Sequence, residues 1–195
     1  MSQAASVPAE GDQIAALTAR VRELEDERDI RLTLERYGHS IDYGLEDQWV
    51  DCFTEHGVDD HRMANMPSEW KSIFPFAEFD SGGMRLVGRD ALAAFIAMHT
   101  RPPESLHKHL VVDTVITRGL DPDKAESASY FLRVDEAGPD RIISAFGRYI
   151  DQLERCEDGR WRFSERRIEL ESLLPTASEG PNFASSPRND PQERA

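Results

Sequence analysis

The run His107-Lys108-His109-Leu110-Val111-Val112-Asp113-Thr114-Val115-Ile116 alternates as a strand does. Strict alternation sends His107, His109 and Asp113 to the same side as Val111 and Val115, and titratable groups on an apolar strand face mark a reactive pocket. A neutral imidazole, with an ordinary pKa of about 6.5, accepts a proton near neutrality. A carboxylate on one ring nitrogen fixes the tautomer and steadies the imidazolium that forms. The helical segment Ile30 to Asp42 ends in Tyr37-Gly38-His39-Ser40-Ile41-Asp42 and offers both that carboxylate and a phenol. His109 is therefore the candidate base, Asp42 its orienting acid, and Tyr37 a donor to an oxygen that gains charge.

Helical geometry constrains this trio. At about 100° per residue, Tyr37 and Asp42 lie about 140° apart, so both reach one pocket only if the helix has loosened by Asp42. His39, three residues from Asp42, is the rival partner on an intact helix. His109 as a hydrogen-bonded core histidine and Tyr37 as a core aromatic also stay open. Asp113 and His107 would line the same pocket, with His39, His61, Trp49 and Tyr149 as further substrate contacts. Metal sets can be built from His107, His109 and Asp113, or from Asp59, Asp60 and His61, but neither has a specific zinc spacing. There is no Gly-rich phosphate loop or nucleophile elbow. The expectation is chemistry without metal or cofactor.

The elements that must position these groups follow from periodicity. Ile14, Leu17, Val21 and Leu24 mark an amphipathic helix that could cover the domain or a neighbouring subunit, and Ile30, Leu34, Tyr37 and Ile41 a second helix that stops at Gly44. A short helix around Trp49 and a strand from Val58 to Met63 come next. The aromatic, Pro- and Gly-containing stretch from Ala64 to Leu86 reads as a lid. Gly88-Arg89-Asp90 opens another helix, which Arg101-Pro102-Pro103 breaks. Four strands complete the domain: His107 to Ile116, Ala125 to Val134, Arg141 to Arg155 and Trp161 to Leu174. Helices first and strands afterwards give an α+β domain, with N-terminal helices packed on a curved antiparallel sheet. Residues 1–12 read as a disordered lead, 13–175 as the domain and 176–195 as an extended or disordered tail.

At 195 residues the chain supports one well-buried domain. Its net charge of -14 repels nucleic acid and anionic membranes, leaving a small molecule or another copy as partner. The start lacks a secretion signal and no stretch is long and apolar enough to span a bilayer, so the expected location is cytoplasmic. Cys52 and Cys156, far apart, fit free thiols.

From about Leu24 to Leu174 the sequence resembles the SnoaL-like branch of the nuclear-transport-factor-like superfamily. The resemblance is carried by Asp29-Ile30-Arg31, Tyr37 to Asp42, Asp51-Cys52-Phe53-Thr54, Val87 to Leu92, His109 to Ile116, Gly147 to Asp151 and Asp158 to Phe163. It implies a cone formed by a curved sheet and helices. It also implies kinship with cofactor-independent lyases, in which a tyrosine five positions before an aspartate and a strand histidine map onto Tyr37, Asp42 and His109. Asp113 stands where the dehydrochlorinase pattern has asparagine. The arginine that bile-acid dehydratases carry on the last strand is matched by Leu170. The activity implied is a lyase acting on a hydrophobic cyclic or aromatic molecule, such as a lignin-derived dimer, in a dimer or trimer. An isomerase or cyclase, or a noncatalytic binding or assembly module, is the alternative on the same fold.

Overall fold

In the computed structural model, residues 9–63 and 66–173 are described; the tail from residue 174 lies outside them. Helix α1 runs unbroken over Glu10–Tyr43. The expected break at Glu25 to Asp29 does not occur, because Glu, Asp and Arg without glycine or proline sustain a helix. Residues Glu10 to Asp12, assigned to the lead, form its first turn. The helix ends where Gly44 takes a left-handed φ of 65° and donates its N–H to the Ser40 carbonyl.

The rest follows as α2 (Glu46–Val50), β1 (Phe53–Met63), α3 (Trp70–Ile73), β2 (Glu78–Phe79), β3 (Gly83–Val87), α4 (Gly88–Met98), β4 (His107–Arg118), β5 (Lys124–Ala137), β6 (Asp140–Arg155) and β7 (Trp161–Leu173). The architecture is the expected α+β single domain, with a long N-terminal helix on a curved sheet. The sheet has seven strands in the order β2-β3-β1-β7-β6-β5-β4. It is mixed rather than wholly antiparallel, because β1 runs parallel to β7.

The segment read as a lid is largely framework. β3 pairs with β1 from Val58↔Val87 to Arg62↔Gly83, and Trp70, Phe74, Phe76 and Phe79 pack against the core. Here pairing with a distant strand overrides the local turn signals.

α1 is pinned to the sheet at two points. Asp26 receives Arg118 at 2.9 Å, Arg155 at 2.7 Å and the Trp161 indole at 3.3 Å. Thr33 donates to the Trp161 carbonyl at 2.6 Å. Beyond Asp26 the buried side chains Ile30, Leu34, Tyr37 and Ile41 face the sheet. Before it, Ile14, Leu17, Val21 and Leu24 are all exposed, so this part of the helix does not cover its own domain.

β4 is an edge strand, and the end of α1 lies against it. Gly38 permits the close approach: a Cβ there would sit 3.3 Å from the His109 carbonyl oxygen. The β4–β5 register slips between Val112 and Val115, where Asp113 adopts a φ of 53°. This bulge reverses the alternation beyond it, so Val111 packs on the core while Val115 is exposed.

Candidate active site

The last turn of α1 delivers Asp42 to β4. Asp42 Oδ1 lies 2.6 Å from the ring Nδ1 of His109, and the His109 backbone N–H donates to both carboxylate oxygens at 3.2 and 3.1 Å. Burial pushes the Asp42 pKa up, but the His109 ring and backbone donors outweigh it and hold the carboxyl below its ordinary value. A carboxylate can only accept, so Nδ1 carries the proton and Nε2 presents the lone pair. The His109 side chain keeps 10 % exposure, consistent with a base a substrate can reach.

Two further imidazoles surround the pair. The His107 ring centre is 5.5 Å from that of His109, and His107 Nε2 stands 3.8 Å from Asp42 Oδ1, too far to bond. That nitrogen is buried without a partner among the described residues. His99, just past the end of α4, lies 5.0 Å from the His107 ring and 6.1 Å from the His109 ring. Its Nδ1 faces the Thr100 carbonyl at 2.9 Å, so Nδ1 holds the hydrogen. Burial first, then the neighbouring His109, pushes His99 down to about 3. Burial, then Arg133, pushes His107 down to about 4. Both are neutral at pH 7 and can accept as well as donate.

His99 escaped the sequence reading, although a signal existed. It follows Leu92, Phe95 and Ile96 at helical spacing on the inward face of α4.

Tyr37 lies elsewhere. Because α1 stays helical through Tyr43, Tyr37 keeps its angular separation of about 140° from Asp42. Its ring packs with Trp49, Phe53, Tyr149 and Phe163 at 5.6–6.1 Å. Burial, then the nearby Asp59, raises its pKa well above 10 and keeps it a phenol.

The guanidinium of Arg166 sits 4.2 Å from the Tyr37 and Tyr149 rings and 4.1 Å from that of Phe163. Burial disfavours its charge, but Asp151, bonded at 2.8 and 2.9 Å, more than compensates. Its Nη1 is buried without a partner among the described residues. Arg166 is thus an interior cation.

The other sequence candidates separate. Trp49 and Tyr149 are buried in the aromatic interior, with Tyr149 stacked on Phe131 at 4.6 Å. His61 pairs with the fully buried Asp59, Nε2 to Oδ2 at 3.1 Å, and packs 5.5 Å from Phe95. After burial and Arg166, the acids Asp59, Asp151 and Asp42 all act on the Tyr149 phenol, which is raised above its usual value.

Two candidates are corrected. Asp113 is exposed on the bulge and does not line the pocket, because the bulge breaks the alternation that placed it there. His39 is exposed, and the intact helix gives Asp42 to His109 instead.

The metal set drawn through His107, His109 and Asp113 does not assemble, since Asp113 is exposed on the bulge. Asp42, His107 and His109 do place one donor atom each within 4.8 Å of one another. An ion there would take over the Asp42 oxygen that now holds the His109 ring.

The long helix, the mixed curved sheet and the interior acid–imidazole pair define an α+β domain of the NTF2-like class. Residues 22–167 match the family model described as a SnoaL-like domain, and the chain belongs to that family. Similar solved structures include Rv3472, a protein of unknown function from Mycobacterium tuberculosis, at 24% identity and TM-score 0.59, covering 77% of this chain and 79% of that one. An NTF2-like protein with a cystatin-like fold from Novosphingobium aromaticivorans is 20% identical, with TM-score 0.60 and coverage of 80% and 88%. A provisionally assigned beta subunit of an aromatic-ring-hydroxylating dioxygenase from the same organism is 16% identical, with TM-score 0.61 and coverage of 83% and 98%. No curated protein matches the chain. Among the described residues no helix is long and apolar enough to cross a membrane.

Proposed function

We propose that this protein is a cofactor-independent lyase acting on a hydrophobic cyclic or aromatic small molecule, in the manner of a dehydratase or of a lyase of lignin-derived dimers. The observation that carries this reading is the 2.6 Å contact between Asp42 and His109. His109 Nε2 takes a proton from carbon in an elimination, or from a hydroxyl in a retro-aldol cleavage, while Asp42 stabilises the imidazolium. The neutral imidazoles of His99 and His107 orient polar groups beside the base. The substrate's apolar body lies toward Trp49 and Tyr149, with His61 contacting its far side. Tyr37, on a separate face of α1, meets a departing oxygen only from the inner end of the site, where Arg166 adds positive charge.

The test is product analysis by mass spectrometry on a panel of cyclic alcohols and aromatic dimers, with wild type and His109→Ala in parallel. Loss of water or formaldehyde by the wild type alone supports the lyase. Conversion at unchanged mass makes the protein an isomerase or cyclase, and turnover by His109→Ala near the wild-type rate overturns the base assignment.

A further inference from the structure

Every residue of α1 from Glu10 to Glu25 is exposed. Sixteen exposed helical residues extend about 24 Å, and a helix of that length without a packed face is marginal in water, so a partner surface along it would stabilise it. Its apolar residues follow a strict repeat: Ile14, Leu17, Val21 and Leu24 alternate steps of three and four. That is the a and d seam of two heptads, narrower than the stripe of a helix bound for a globular core. The occupants are specific as well. β-Branched Ile14 and Val21 fill the a positions and Leu17 and Leu24 the d positions, the combination that favours two parallel strands.

Charge and direction agree with this pattern. In a parallel pair, the g position of one heptad meets the following e position of the other helix, which sets Arg20 of one copy against Glu25 of the next. Among the described residues Arg20 bridges Glu23 on its own helix, with both side chains more than 60 % exposed, a contact easily exchanged. At about 100° per residue the seam points roughly opposite to Ile30, Leu34, Tyr37 and Ile41, so two copies can meet along it with their domains held outside. The seam ends where it must. Its continuation is an open groove along Leu24, Glu27, Arg28, Arg31, Leu32 and Glu35, where charged residues succeed the apolar ones.

We infer that the first half of α1 is a dimerisation arm, in which Ile14, Leu17, Val21 and Leu24 of two copies form a short parallel coiled coil. This inference is independent of the chemistry at His109. It is tested on the full chain by sedimentation equilibrium. The double variant Leu17→Glu/Val21→Glu should halve the particle mass while near-UV circular dichroism and the thermal transition of the domain stay unchanged. Arg20→Glu and Glu25→Arg should each weaken association about fivefold, and the two together should restore it, since only the partner contact is re-formed. A wild type that is monomeric at every concentration overturns the inference. So does a double variant of unchanged mass, which would assign association to another surface, such as the outer sheet face with Leu110, Val112, Tyr130 and Phe146. Failure of the charge exchange to restore association overturns the parallel arrangement.

Discussion

Asp42 holds His109 twice, by the ring Nδ1 at 2.6 Å and by the backbone N–H at 3.1–3.2 Å. Asp42→Asn keeps the shape but offers an amide that can donate to Nδ1, turning the lone pair inward. Turnover should fall on the order of 10²–10⁴-fold with little change in KM. Steady-state kinetics of the two proteins check it, and an equal loss in KM alone would make Asp42 a binding residue.

Stability should decline on mild acidification. The folded pKa values of His99 and His107, about 3 and about 4, lie below the ordinary imidazole value of 6.5. As pH falls through 6.5 the unfolded chain takes up protons that the folded one refuses, so stability is lost from there down to about 4. Asp42 acts in a lower window: its depressed pKa stabilises above 3.8 and that contribution goes only as pH falls below it. Melting temperatures between pH 7.5 and 5 should drop, and His99→Gln/His107→Gln should show about half that slope or less. Parallel slopes would contradict the buried neutral imidazoles.

Arg166 and Asp151 are each fully buried as side chains. Arg166→Met strands the Asp151 carboxylate, leaving among the described residues the Ser127 hydroxyl at 2.9 Å, and should cost about 3–5 kcal/mol in urea unfolding. Adding Asp151→Asn should recover part of the loss. Additive losses would show that the two residues do not act as a pair.

Chelators should leave turnover unchanged, because the proposed proton transfer needs no ion. Added zinc should inhibit by drawing Asp42, His107 and His109, whose donor atoms lie within 4.8 Å, away from acid–base work. His107→Ala should blunt that inhibition. Loss of activity on chelation, restored by one divalent ion, would instead make the trio a metal site.

The sequence showed the long strands and the packed half of α1 clearly, because alternation and helical spacing are local signals of burial. β3 was hidden: five residues among glycines and aromatics become a strand only by pairing with β1. Asp113 was misplaced because a bulge reverses strand parity without a local mark, and aspartate tolerates the left-handed conformation it needs. The contact between Asp42 and His109 spans 67 positions; residue types suggested the pair, periodicity left the histidine open as a core residue, and the family resemblance favoured the pair. Tyr37 illustrates the reverse, since helical geometry alone stated the condition that the unbroken helix then failed to meet. The burial of Arg166 has no local signal either, since it depends on β6 and β7 lying side by side.

The place of His109 on the outermost strand has one more consequence. A free strand edge offers its amides to any passing chain, and proteins guard such edges against stray pairing. At His109 the guard is the Asp42 carboxylate, which occupies the outward amide that an intruding strand would need. The carboxylate that orients the imidazole thus also seals part of the sheet margin.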